Sequence, residues 1–103
     1  MIEDFTLSTF KNRLQEKFRI VLEPSKSIEV ELVKTTDLGA RPIDTQQGIK
    51  RERSFSIVFR APMEPLLPQQ IYRFEHREIG SFDLFIVPIG PDDCGMCYEA
   101  VFN

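Results

Sequence analysis

The chain has 103 residues and a mass of 12.0 kDa, with 42% hydrophobic and 28% charged residues, the profile of one globular domain spanning 1–103. A chain this size buries roughly 65% of the surface its unfolded form exposes, enough for one modest core and too little for two. Thirteen basic residues against sixteen acidic ones leave a net charge of -3, which argues against general nucleic-acid binding. No apolar run reaches the ~18 residues of a membrane helix. The start, Met1-Ile2-Glu3-Asp4-Phe5, carries acid where a secretory signal carries Lys or Arg. A cytoplasmic protein, or one exported without a removable signal, is expected.

The first element predicted is a helix over about residues 7–17. Leu7, Phe10, Leu14 and Phe18 recur at helical steps and form one apolar stripe. Thr6 or Ser8 can cap its start. The mixed signs of Lys11, Arg13, Glu16 and Lys17 on the other face favour packing on a core over lying on a membrane.

From residue 18 to the end the pattern reads as sheet. Phe18, Ile20 and Leu22 alternate with Arg19, Val21 and Glu23 until Pro24 stops the run. Ile28, Val30 and Leu32 alternate with Glu29 and Glu31, and Phe55, Ile57 and Phe59 with Ser54 and Ser56. Tyr72 and Phe74 share a face opposite Arg73 and Glu75. Phe82 to Val87 is apolar on both faces apart from Asp83, which predicts a central strand ended by Pro88. Tyr98 to Phe102 forms the last strand. The fold class expected is α+β: one N-terminal helix on a strongly curled, mostly antiparallel sheet of about six strands, barrel-like or sandwich-like. An open sheet would leave two edges free for pairing, with the last strand at one of them. A closed one would hold that strand inside.

Two connections are unusual. Gly80-Ser81 marks a tight hairpin. Residues 35–53 form a connection far longer than the ~4–6 residues usual in compact domains, and read as a hidden strand or a working loop. A second loop, Ala61 to Gln70, is restricted by Pro62, Pro65 and Pro68.

Three clusters invite a chemical reading. Cys94-Gly95-Met96-Cys97 has redox spacing, but a strand follows it where a redox motif needs a helix N-terminus. Zinc would need Cys94 and Cys97 with His76 and either Asp92 or Asp93, an uncommon ligand set. Neither a metal nor any other cofactor is expected, and two reduced thiols in a turn is the favoured reading. His76 is the sole histidine, and acid–base work would need a partner such as Glu75 or Glu78. Glu75 lies on the opposite strand face, and a histidine satisfied by backbone at the end of a strand is the favoured reading. Lys50, Arg51 and Arg53, interrupted by Glu52, are the candidate anion contacts. Nucleotide-binding, zincin and hydrolase motifs are absent.

Most of the chain resembles a bacterial family of uncharacterised domains, its N-terminal part in an amphipathic segment followed by a strand ending in Glu31-Leu32-Val33 and its second half more closely. The resemblance rests on Phe55-Ser56-Ile57-Val58-Phe59-Arg60-Ala61-Pro62, similar to F-S-L-x-F-x-G-P, then Gln70-Ile71-Tyr72, His76, Ile79-Gly80, Phe85-Ile86-Val87-Pro88-Ile89-Gly90 and the closing Tyr98-Glu99-Ala100-Val101-Phe102-Asn103. Ala61 replaces the usual glycine, and Cys94 and Cys97 are peculiar to this chain. The family is catalogued as a domain of unknown function, so the resemblance implies no reaction. It implies accessory work near tail-fibre-like proteins. Physically, Phe55, Phe59, Tyr72, Phe74, Phe85 and Phe102 read as core.

The function expected is a non-catalytic binding or assembly module, acting through a protein partner or self-association, with a symmetric dimer the simplest form. The alternative is a small-molecule or anion-binding barrel, enzymatic or not, using His76 and the connection 35–53.

Overall fold

The computed structural model describes residues 5–45 and 48–102, with the backbone alone described for 40–45 and 48–53. A short helix, α1 (Leu7–Lys11), precedes six strands: β1 (Lys17–Glu23), β2 (Lys26–Thr45), β3 (Gly48–Ala61), β4 (Gln70–His76), β5 (Gly80–Pro91) and β6 (Met96–Phe102). All pairs are antiparallel, and the strands close into a barrel in the order β1-β2-β3-β6-β5-β4. The molecule is therefore mostly β, with one short helix, and the α+β expectation holds only in part.

Closure comes from β1 and β4, where Arg19, Ile20 and Val21 pair with Glu75, Phe74 and Arg73. Each strand of the ring thus has a neighbour on both sides, and the pair of open edges that a curled sheet would leave is absent from the barrel body. The last strand is internal, between β3 and β5. No helix among the described residues is long and apolar enough to cross a membrane.

Six strands enclose a space packed with buried side chains. Phe18 and Ile20 of β1, Val30 and Leu32 of β2, Ile57 and Phe59 of β3, Phe74 of β4, Ile86 of β5 and Tyr98 of β6 are all buried inside. The period-two alternation set these positions, since every second residue of a strand points inward. Aromatic rings do most of the filling. Phe59 lies 5.0 Å from Phe74 and 5.1 Å from Phe18, and Phe74 stacks on Phe82 at 5.6 Å.

The helix is shorter than its stripe predicts. Only Phe10 of α1 is buried, and it touches Phe5, Phe18, Phe55, Phe82 and Phe102 as a plug. Thr6 starts the helix, its N–H donating to Thr9 Oγ1. The chain leaves helical geometry by Gln15, whose φ is 74°, and there the Gln15 N–H bonds to the Leu32 carbonyl while the Leu32 N–H bonds to Glu16. Bonding to β2 has replaced the last helical turns, so Leu14 is 42% exposed and Phe18 belongs to β1.

Residues 35–45 and 48–53 of the connection form a two-stranded ribbon. β2 and β3 stay paired from Glu31↔Arg60 to Thr45↔Gly48, with a register shift between Asp37 and Gly39. Gly39 takes φ +93°, and its N–H bonds to Asp37 Oδ1. Glycine and proline within this stretch mimicked loop punctuation, while the pairing partner that makes it a strand lies in the same stretch.

β5 also departs from expectation. It continues through Pro88 to Pro91, absorbing the proline at a bulge between Pro88 and Gly90. Its burial alternates, with Phe82, Leu84 and Ile86 inside and Phe85 49% exposed, so Phe85 is not core. Loop 62–69 crosses one mouth of the barrel and buries Leu67, whose N–H bonds to the hydroxyl of Tyr98 at 3.0 Å. The Tyr72 hydroxyl donates to the Pro68 carbonyl at 2.7 Å.

Phe10→Ala should cost about 3–5 kcal/mol in urea denaturation, the usual loss for a buried phenylalanine, and Leu14→Ala less than about 1 kcal/mol. Equal losses at both positions would show that the helix docks differently.

Candidate functional site

His76 ends β4 with its ring buried against Phe18, centroids 4.4 Å apart. Its Nδ1 accepts the backbone N–H groups of Glu78 at 3.1 Å and Ile79 at 3.2 Å, in the turn that leads to β5. An atom accepting two N–H bonds carries no proton, so the ring proton sits on Nε2 and is donated to Glu16 Oε1 at 2.7 Å. Arg13 completes the group, its Nη2 3.5 Å from Glu78 and its Nη1 donating to the Thr9 carbonyl, while its Nε finds no partner. Glu75, on the other strand face, pairs with Arg19 instead. The partner is thus Glu16, sixty residues away, together with the backbone of residues 78 and 79.

His76, Glu16 and Glu78 bring three ligand atoms within 4.8 Å of one another, the one grouping of metal-ligating type among the described residues. Its chemistry does not fit a cation. Coordination through Nε2 requires the ring proton to sit on Nδ1, pointed at two N–H donors. The guanidinium of Arg13 already serves Glu78. Acid–base work meets the same obstacle, because both ring nitrogens are committed. A groove of about 560 Å³ runs past this corner, open and lined by both signs of charge, including Lys17, Arg19, Glu29 and Glu75. The cluster is a clasp joining the segment before β1 to the β4–β5 turn.

His76→Ala should cost about 1–3 kcal/mol by leaving two part-buried N–H groups without their acceptor, and His76→Asn should recover a large part by offering an oxygen where Nδ1 was. Urea denaturation checks this; stability unchanged in the alanine variant refutes the clasp.

The cysteine turn is organised by Asp92. Its Oδ1 accepts the N–H groups of Cys94 at 2.8 Å and Gly95 at 3.0 Å. Its Oδ2 takes a fork from Arg60, Nε at 2.8 Å and Nη2 at 2.7 Å. The Asp92 N–H returns to the Gly95 carbonyl. Gly95 is obligatory here, since a Cβ would lie 2.3 Å from the Ala61 carbonyl oxygen. Both thiols are free. Cys97 is buried, and burial first, then the Asp92 carboxylate, pushes its thiol pKa up, which disfavours the nucleophilic thiolate. Cys97 itself lies in β6, which begins at Met96. His76 belongs to the other cluster, so the structure does not assemble the ligand set that Cys94, Cys97 and His76 would need.

The Arg60 fork, with the Cys94 N–H behind it, lowers the Asp92 carboxyl from 3.8 to about 2. A carboxyl held low in the folded state adds stability that is whole above its unfolded value and lost as pH falls through the folded one. Wild type should therefore lose this contribution between about pH 4 and pH 2, and the stability gap to Asp92→Asn should close over the same interval. Denaturant melts at several pH values measure it; a gap constant with pH would contradict the assignment.

Lys50, Arg51 and Arg53 lie in β3, opposite Ile43, Pro42 and Ala40 of β2. Their side chains lie outside the described residues. Sequence reasoning missed Glu16 and Arg13 as partners of the histidine cluster, and no local signal marks them, because the closure of β1 on β4 brings them there.

No curated protein matches the chain, and no solved structure does. A family model does, over residues 5–102, from the phenylalanine before α1 to the end of β6. The match spans the whole barrel and both clusters, and the chain belongs to the family described as a domain of unknown function, DUF6916.

Proposed function

We propose that this domain is a non-catalytic binding and assembly module that meets a second copy of itself through the outer face of β4 and β5. One observation carries the reading. Ile71 and Phe85 are direct cross-strand partners on the outside of the barrel, and they remain 63% and 49% exposed. Val101 of the neighbouring β6 is 51% exposed. Exposed apolar side chains are ordinary one at a time, but a large aromatic paired with an isoleucine on a sheet face is a contact surface.

The next row on the same face favours a second copy as the occupant. Arg73 and Asp83 are also cross-strand partners, Nε to Oδ1 3.0 Å, and both are exposed. A two-fold axis near Ile71 and Phe85 sets the arginine of each copy within reach of the aspartate of the other, so the patch complements itself in charge as well as in apolarity. The family resemblance favours a bacterial setting and accessory work in tail-fibre-like or surface assemblies.

A ligand-binding barrel built on His76 has less support. The described interior is packed with side chains, the histidine is committed on both nitrogens, and of the two readings of the connection 35–53, hidden strand or working loop, its described backbone is paired strand.

Sedimentation equilibrium at micromolar concentration should give a two-chain mass for wild type and a one-chain mass for Phe85→Asp, with thermal unfolding of the variant little changed because Phe85 lies outside the core. A wild-type protein that stays a single chain across that range refutes the self-association.

A further inference from the structure

We propose that the outer edge of β3, from Gly48 to Ser54, is a strand-addition site for an extended acidic segment of a partner protein. The site is separate from the apolar face of β4 and β5 and does not depend on it.

The register defines the edge. β2 occupies one side of β3 along its whole length, from Thr45↔Gly48 to Glu31↔Arg60. β6 occupies the other side only from Ala61↔Met96 to Phe55↔Phe102. Over Gly48 to Ser54, therefore, no strand pairs with that side among the described residues, although the backbone remains extended and in register with β2. An incoming strand would lie in line with β6, beyond Phe102.

The opposite edge of the ribbon is poorly suited to the same use. On β2, Pro42 has no N–H, and the register shifts between Asp37 and Gly39. The β3 edge contains no proline and has its single glycine at the far end. A two-stranded ribbon is marginal by itself in water, and a third strand supplies the pairing it lacks.

Charge selects the occupant. Gly48 to Ser54 contains Lys50, Arg51 and Arg53 against Glu52 alone, in a chain whose net charge is -3. Antiparallel pairing of this segment with the same segment of a second copy would set two net-positive strands side by side, which like charges oppose. An acidic extended peptide meets complementary charge and gains main-chain hydrogen bonds from the edge. Single-stranded nucleic acid would match the charge alone, since its phosphodiester backbone cannot continue a β-ladder and Gly48 to Ser54 contains no aromatic residue on which a base could stack.

The test titrates uniformly 15N-labelled protein with a capped octapeptide of alternating threonine and glutamate. A threonine–lysine octapeptide and oligo-dT of eight nucleotides serve as comparators. The expected result is amide shifts confined to Gly48–Ser54 and their β2 partners with the acidic peptide. Affinity should fall roughly tenfold or more in Arg51→Glu/Arg53→Glu and when salt is raised from about 0.05 to 0.3 M. The double variant should leave the amide spectrum of the barrel body unchanged, which separates lost binding from lost folding. The proposal is overturned by equal binding of the lysine peptide, by tighter binding of oligo-dT, by no response at Gly48–Ser54 to the acidic peptide, or by concentration-dependent broadening there without any peptide. A failed Phe85 dimer with an intact peptide response would sink only the self-association reading.

Discussion

The pairing of β1 with β4 is the constraint on which the rest of the molecule depends. Three residue pairs, Arg19 to Val21 against Glu75 to Arg73, turn a curled sheet into a ring. Once closed, the six strands enclose a core in which phenylalanine supplies much of the bulk. Closure also creates two mouths, and each is stoppered by a residue from outside the ring or its connections. Phe10 of α1 is buried among five other rings, and Leu67 of the proline-rich loop is held by the hydroxyl of Tyr98. Closure further carries His76 to Glu16, so the single histidine is consumed in tying the segment before β1 to the turn after β4.

That allocation determines where function can reside. The buried cluster packs the interior among the described residues, and the acceptors of His76 and Asp92 are satisfied from within, while Arg13 Nε has no partner. Around His76, Nδ1 and Nε2 each have their partner; around Asp92, all the strong acceptor positions are used by Arg60 and two backbone N–H groups. Polar groups saturated in this way rigidify turns and leave little capacity for a substrate. The outside carries the features on which the two proposals rest, the exposed cross-strand pair of Ile71 and Phe85 and the backbone of β3 that extends past β6.

Much of this was legible in the sequence, and the failures share a cause. Alternation located all the strands of the barrel body, because a residue's inward or outward direction repeats every two positions whatever it pairs with. The turn at Gly80, with φ +95°, and the absence of a helix after Cys97 were equally local properties. Three features were not local. Leu14 fitted the helical stripe, but hydrogen bonds from Gln15 and Glu16 to Leu32 took the chain onto β2. Phe85 looked like core because it is large and apolar, yet Phe82, Leu84 and Ile86 had already claimed the inward positions of β5. Glu16 could not be matched to His76 without knowing which strands meet.

The ribbon poses a different question, one of purpose. Closing the barrel requires β2 only as far as its pairing with β3 opposite Phe55, and β3 only from Phe55 onward. Ordering the backbone of the residues beyond that point costs conformational entropy of roughly 1–2 kcal/mol each. A short turn between Asp37 and Phe55 would close the same ring at smaller cost. The segment instead continues as paired strands, with a glycine at positive φ absorbing the register shift at its base and proline on one edge only. Paired length beyond what ring closure uses, with proline on one edge only, suits the third strand proposed above.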